Sequence, residues 1–175
     1  SGSDNTGIGY QCMDANTTGS YNSAGGTGAL GQNTTASSNT AFGYIALTAN
    51  TTGSLNVAVG SKSLDANTTG AGNTAVGDDA LSENTTANNN TAIGHKSFFG
   101  NSTGTNNTGV GLYSGLSNTT GSRNVAVGTF AFDASTTASD NTAVGYNALT
   151  ANTTGADNSS FGASSLTANT TGINN

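Results

Sequence analysis

Residues 141–157 read NTAVGYNALTANTTGAD, and this stretch decides the fold because it recurs every 17 residues along the whole chain. Copies open at Asn5, Asn22, Asn39, Asn56, Asn73, Asn90, Asn107, Asn124, Asn141 and Asn158, and Asn175 stands where an eleventh would begin. An unbroken short period makes residues 1–175 a single solenoid-like domain, in which each repeat buries its apolar side only against its neighbours. Numbering phases 1 to 17 from the opening Asn, phase 5 is Gly in all ten copies, from Gly9 to Gly162. Phase 14 is Thr in all ten, and phase 12 is Asn in nine, with Ser135 the exception.

Phases 2 to 4 carry Thr or Val, a small residue, then Val, Ile or Phe, as in Thr142-Ala143-Val144 and Val57-Ala58-Val59. β-Branched residues at alternate positions fit a strand, and the Gly that follows suits a tight bend with positive φ. Phases 8 and 9 pair a small residue with a large apolar one, as in Ala46-Leu47 and Ala148-Leu149. Phases 12 to 14, Asn-Thr-Thr, suggest a second short extended run. A helix is disfavoured, since Asn, Thr and Gly are poor helix formers and the apolar phases do not sustain a 3.6-residue period. The expected fold is all-β: a parallel β-solenoid or β-roll of ten coils. Stacked at the strand spacing of about 4.8 Å, ten coils make a rod roughly 48 Å long. Asn at phases 1 and 12 would then stack into columns and hydrogen-bond as amide ladders.

Composition alone points toward disorder, because Leu, Ile, Val and Phe account for only 26 of 175 residues. The net charge of −6 is too small to hold a chain open by repulsion, and the apolar residues keep fixed phases. There is no Pro to interrupt a backbone ladder. A pI near 4.1 with three basic residues argues against nucleic acid as a partner. No apolar run approaches the ~20 residues needed to span a bilayer, and the single Cys12 has no internal disulfide partner.

Phase 3 is Ala in seven copies, Gly in two and Ser in one. Whichever way the strand faces, either this small column or the large phase-4 column points outward, so both sides call for packing. Side-by-side association of chains follows as an expectation, with the small phase-3 column allowing close approach. Gly25 in place of a phase-4 apolar residue predicts a loose second coil. Phe98-Phe99-Gly100 followed by Gly115-Leu116 shifts apolar bulk by one phase in two adjacent coils, a local rearrangement or the start of a bend. The chain opens at phase 14 and closes at phase 1 with no polar cap, as expected of an uncapped window from a longer fibre or of a subunit that stacks end to end.

The NTAVG, NVAVG and NTAIG cores, followed by Ala-Leu and NTTG, resemble head-type repeats of trimeric autotransporter adhesins. They also resemble Asn/Thr/Gly-rich shafts of phage tail-fibre proteins that carry a self-cleaving chaperone domain. The resemblance spans the whole chain and implies an extracellular, homotrimeric β-roll fibre at a cell surface or on a virion appendage. The 17-residue period is longer than that of the adhesin heads.

No catalytic constellation emerges, and neither an enzyme nor a cofactor is expected. His95 sits at the variable phase 6 and reads as a solvated turn residue, Cys12 as a small buried one, and Asp78-Asp79 as a solvated face. Asp14, Asp65 and Asp133 share phase 10 but skip coils, so they lack the recurrence of a calcium roll, and no metal site is expected. Gly109, Gly111 and Gly115 lack phosphate-loop spacing.

Two surfaces remain. One is the phase 6–7 edge with Tyr10, Tyr44, Ile45, Leu112, Tyr113, Phe130 and Tyr146, suited to a neighbouring chain or to a host-surface glycan or protein. The other is the Asn-x-Thr ladder: Asn16, Thr18, Asn33, Thr35, Asn50, Thr52, Asn67, Thr69, Asn84, Thr86, Asn118, Thr120, Asn152, Thr154, Asn169 and Thr171. In an extended run these two phases share one face about 7 Å apart, with rungs about 4.8 Å apart. The same residues form glycosylation sequons, but glycans at that spacing would crowd, and a ladder is the expected use. The leading expectation is a non-enzymatic structural or adhesive fibre segment that associates with itself. The alternative is an ice-binding solenoid presenting the Asn-x-Thr array.

Overall fold

In a computed structural model, which describes residues 2–175, each repeat closes into one coil and lays a three-residue strand beside that of the next. The strands are β1 (Thr6–Ile8), β2 (Ser23–Gly25), β3 (Thr40–Phe42), β4 (Val57–Val59), β5 (Thr74–Val76), β6 (Thr91–Ile93), β7 (Thr108–Val110), β8 (Val125–Val127), β9 (Thr142–Val144) and β10 (Ser159–Phe161). They form one parallel sheet in sequence order. The register never slips: Thr74 faces Thr91, Ala75 faces Ala92 and Val76 faces Ile93. A parallel β-solenoid with a 17-residue coil is therefore the fold, and the described residues contain no helix.

The strand faces opposite to a simple burial rule. Phase 3 points inward, with Ala41, Ala58, Ala75, Ala92, Ala126 and Ala143 fully buried, so the small column packs inside the coil and is not the surface of close approach between chains expected from the sequence. The larger Val, Ile and Phe of phase 4 point outward beside the Thr or Val of phase 2. The interior has room for Ala here because Leu30, Leu47, Leu64, Leu81 and Leu149 enter from phase 9 across the coil and fill it. Gly25 therefore leaves no loose core. Its missing side chain lies on the outer face, where the Phe42 ring covers the space a Cβ would need.

Gly at phase 5 ends each strand with φ between 107° and 145°. Coil stacking imposes a second demand there, since a Cβ on Gly77 would sit 2.5 Å from the Gly94 carbonyl oxygen. Two turns follow. The phase-8 N–H donates to the phase-5 carbonyl, as in Ala29 to Gly26 at 3.3 Å, and the phase-12 N–H to phase 9, as in Asn67 to Leu64 at 3.1 Å. Phase 9 lies in the left-handed region, with φ of 52° at both Leu47 and Leu64. That conformation costs about 1–3 kcal/mol in a branched residue, and full burial of Leu returns about 1.5–3 kcal/mol. Phase 17 is also left-handed in every described coil, and Asp, Asn or Gly fills it at Asp4, Gly72, Asn89, Asn106, Asp140, Asp157 and Asn174.

The expected second extended run at phases 12 to 14 does not form, because the chain bends after the Asn. The shift of apolar bulk near Phe98 is a packing exchange. Phe98 is fully buried, and its ring occupies the space that side chains at Gly109 and Gly115 of the next coil would need. A Cβ on Gly115 would lie 2.6 Å from the Phe98 ring. The exchange predicts strong coupling. Gly115→Leu, the residue most coils carry at this phase, should destabilise the protein by about 1–3 kcal/mol through overpacking. The triple change Phe98→Leu/Gly109→Ala/Gly115→Leu should recover most of that loss, read as denaturation midpoints followed by circular dichroism. Additive losses would refute the exchange.

Candidate functional site

The two Asn columns are the most ordered polar feature of the rod. Both converge on the phase-15 carbonyl. The Gly70 oxygen accepts from the Asn56 side-chain amide at 2.8 Å and from that of Asn67 at 3.0 Å. Asn67 also donates to the Asn50 Oδ1 one coil earlier at 3.0 Å and accepts from Asn84 one coil later at 2.9 Å. Phase-1 residues use their Oδ1 differently: Asn56 Oδ1 accepts the backbone N–H of Asn73 at 2.9 Å. Asn33, Asn50, Asn67, Asn84, Asn118 and Asn152 are fully buried, while Asn16 and Asn169, in the end coils, are half-buried or partly covered.

This arrangement corrects the Asn-x-Thr face. Thr18, Thr35, Thr52, Thr69, Thr86, Thr120, Thr154 and Thr171 are all exposed, whereas the Asn two residues before each turns inward. The bend, driven by the amide bonds to the phase-15 carbonyl, removes the strand alternation on which a shared face depends. A sequon Asn with both amide hydrogens bonded inside the coil offers no acceptor for a glycan. What stands beside the phase-14 Thr is phase 13, half-exposed at Thr34, Thr51, Thr68, Thr85, Ser102 and Thr119, where the hydroxyl is tied to the next coil, as in Thr51 Oγ1 to the Thr68 carbonyl at 3.1 Å.

The phase 6–7 edge divides. Tyr113 and Phe130 stack with centroids 5.4 Å apart, and Tyr146 meets Phe130 edge-on at 6.5 Å. His95 extends this row by packing on Tyr113 at 5.4 Å, and its Nδ1 lies 3.3 Å from the Asp78 carboxylate. His95 and Asp78 do lie in the turn with side chains 39% and 52% exposed, and the structure adds the contacts between coils that the sequence reading did not foresee. Each was judged by its own phase, whereas their neighbours are set by the coil above or below. Tyr10 and Tyr44 are exposed with no stacked ring, Ile45 is half-buried, and Leu112 is exposed.

Phases 10 and 11 form a further edge, of which the sequence reading weighed only the phase-10 Asp residues, as metal ligands. Ser82 donates to Asp65 at 2.6 Å, and Thr150 donates to Asp133. Burial pushes the Asp65 carboxyl above its usual range, against the lowering effect of the Ser82 hydrogen bond. In the middle of this edge Glu83, Lys96, Phe99, Tyr113 and Leu116 line a groove of about 550 Å³. The Lys96 ammonium lies 5.3 Å from the Phe99 ring centroid and 3.9 Å from Asp79. Elsewhere Arg123 holds the Asp140 carboxyl below its usual range through a two-pronged contact at 2.6 and 2.7 Å. Cys12 is a free, partly buried thiol whose pKa burial pushes up. Among the described residues no three His, Cys, Asp or Glu are placed to hold a metal ion, and no helix is long and apolar enough to cross a membrane.

Comparison with protein-family models, with curated proteins and with solved structures found no match to this chain.

One coil breaks the phase-12 ladder. Ser135 stands where Asn would, and both its hydroxyl and the Asn118 Oδ1 are buried without a partner. Ser135→Asn should restore the donor to Asn118 and stabilise the rod by about 1–3 kcal/mol, seen as a higher denaturation midpoint. Asn67→Ser should open a matching gap and lower it. An unchanged midpoint for both would show that the ladder carries no net stability.

Proposed function

We propose that the chain is a non-enzymatic segment of an extracellular structural or adhesive fibre, in which copies associate side by side, as a homotrimer, through the outer face of the sheet. The observation that carries this reading is the phase-4 column. Ile8, Phe42, Val59 and Val110 are 70%, 45%, 38% and 37% exposed although the coil interior is already filled. Thr, Val or Ser at phase 2 runs beside that column along the rod. A strip about 48 Å long and three residues wide covers on the order of 500 Å², the upper end of what a lone soluble protein exposes as one apolar patch.

A second copy suits this strip better than any other occupant. The column is Val or Ile in seven of ten coils and so presents nearly the same shape along the rod, and phases 2 to 4 carry no charged side chain in any coil. The family resemblance of the NTAVG cores supplies the trimer and the extracellular setting, and the variable phases supply the surface for a host glycan or protein. The mechanism is mechanical: a continuous backbone ladder, with amide ladders interrupted only at Ser135, makes a stiff shaft.

Sedimentation of the intact chain should give a trimer. Val59→Lys/Val110→Lys, which buries charge in that contact, should yield folded monomers with an unchanged β circular dichroism spectrum. A wild-type monomer across the micromolar to millimolar range would sink the self-association reading.

A second reading, an ice-binding solenoid, draws on one observation. The phase-14 Thr is exposed in all ten coils, and its hydroxyl has no hydrogen bond among the described residues. With the Asn buried, the array on offer is the phase 13–14 Thr pair. Thermal hysteresis and ice shaping that vanish in Thr69→Tyr/Thr86→Tyr/Thr103→Tyr would establish it, and their absence in the parent protein would dismiss it.

A further inference from the structure

Twelve Asn residues stand in Asn-x-Ser/Thr sequons: nine at phase 12, Asn89 and Asn106 at phase 17, and Asn158 at phase 1. Of these Asn residues only Asn89 and Asn106 are exposed. The path of the coil separates the groups. At phase 12 the Asn turns inward and the Thr two residues on turns outward, as Asn67 and Thr69 do, so the pair is split between the two sides of the chain. At phase 17 the middle residue of the sequon is the inward one. Asn90 and Asn107 are buried, which leaves Asn89 with the half-exposed Thr91, and Asn106 with the half-exposed Thr108, together on the outside. The chain enters this corner in the left-handed region, with φ of 58° at Asn89 and 59° at Asn106, a conformation that Asn tolerates.

We propose that Asn89 is a site of N-linked glycosylation. The sequon marks a surface acceptor, and a transferase that reads both its Asn and its Thr must meet them from one side. Asn89 is anchored through its backbone N–H, which donates to the Ala71 carbonyl at 3.1 Å, while its side-chain amide nitrogen has no partner among the described residues. The Thr91 hydroxyl is likewise free among them. In the transfer, Asn89 Nδ2 displaces a diphosphate from C1 of a nucleotide- or lipid-activated sugar. The C1–N bond forms as the C1–O bond breaks, the diphosphate leaves with the electron pair, and one amide proton passes to a base of the transferase. Asn106 is the poorer acceptor, because its Nδ2 donates to the Thr105 hydroxyl at 3.2 Å and Arg123 follows it in the phase-17 column. The coil before Asn89 carries only Ala71 and Gly72 at phases 16 and 17, which leaves open space there. Sugars on both Asn residues would sit about 4.8 Å apart and crowd, so one glycan per chain follows. Thr91 also belongs to the outer strip of the sheet, so transfer precedes any association of copies, and the site does not rest on that association.

The test uses a soluble transferase that reads Asn-x-Ser/Thr and takes glucose from UDP-glucose. Its acceptors are the folded full chain and the Val59→Lys/Val110→Lys form, the second to remove any masking of Thr91 by association. Intact mass should rise by one hexose, and fragmentation should place it on Asn89 with every phase-12 Asn unmodified. A free peptide spanning 48–54 should accept the sugar at Asn50, because no coil then turns that Asn inward. Asn89→Asp installs the residue that Asp4, Asp140 and Asp157 place at the same phase, and Thr91→Val the residue of Val57 and Val125, so the coil should form with an unchanged circular dichroism spectrum. Each change should remove the hexose from position 89. Four results would each overturn the proposal: no hexose on either folded acceptor, transfer to phase-12 Asn of the folded chain as fast as to Asn89, undiminished transfer in Thr91→Val, or refusal of the 48–54 peptide, which would place the selectivity in the motif and not in the coil.

Discussion

The rod depends on one carbonyl per coil. At phase 15 the chain must turn back toward the next strand, and the carbonyl there points into the coil toward buried Asn side chains. Two amides meet it, one from each side of the coil, as Asn56 and Asn67 do at Gly70. A buried carbonyl without a donor costs about 1–3 kcal/mol, and one such loss per coil would cancel much of the about 1.5–3 kcal/mol that the coil's buried Leu returns. The Asn residues are the interior of the coil's polar half, as necessary there as Leu is in the apolar half. This also explains why their direction is fixed: an Asn serving that carbonyl cannot serve the surface.

Every interaction that sets the coil reaches only to the next one. The amide chain passes from Asn50 to Asn67 to Asn84, and the strand register from Val59 to Val76 to Ile93. Irregularities are therefore absorbed locally, as expected for a one-dimensional array. Ser135 interrupts the phase-12 ladder without disturbing β8 or β9, and the Asn124 amide still reaches the Ala138 carbonyl at 2.8 Å. Phe98 exchanges volume with the following coil and leaves the sheet register intact. A globular core, in which each side chain touches elements distant in sequence, would spread such changes widely.

Periodicity carried most of the fold into view. The strand at phases 2 to 4, the Gly that ends it and the buried Leu of phase 9 follow from residue type at fixed spacing. Three features did not. The direction of Ala75 against Val76 was ambiguous because both are apolar, and the larger one faces outward here only since Leu from across the coil has filled the interior. The bend after Asn67 was hidden by Thr68-Thr69, whose β-branching imitates a strand. The recurrent left-handed position at phase 17 did leave a signal, in the Asp, Asn and Gly that gather there. As for the candidate sites, the aromatic row was half visible. Tyr113, Phe130 and Tyr146 stood out by type, but His95 and Asp78 acquire meaning only once residues 17 apart are placed one above the other.

That vertical adjacency also links the interior to the surface. In a coil of fixed length, an apolar residue displaced from phase 9 has nowhere to go but outward at phase 10. The Phe98 ring takes the volume of two coils, so Leu116 is released to the exterior, where Phe99 already stands one coil below. A paired exchange inside the core thus produces an apolar depression outside it, with no change in loop length and no break in the ladder. An array of identical coils is uniform by construction and presents only columns. Departures that conserve core volume across two neighbouring coils are the route by which such a rod acquires a localised concave site while keeping its stacking intact.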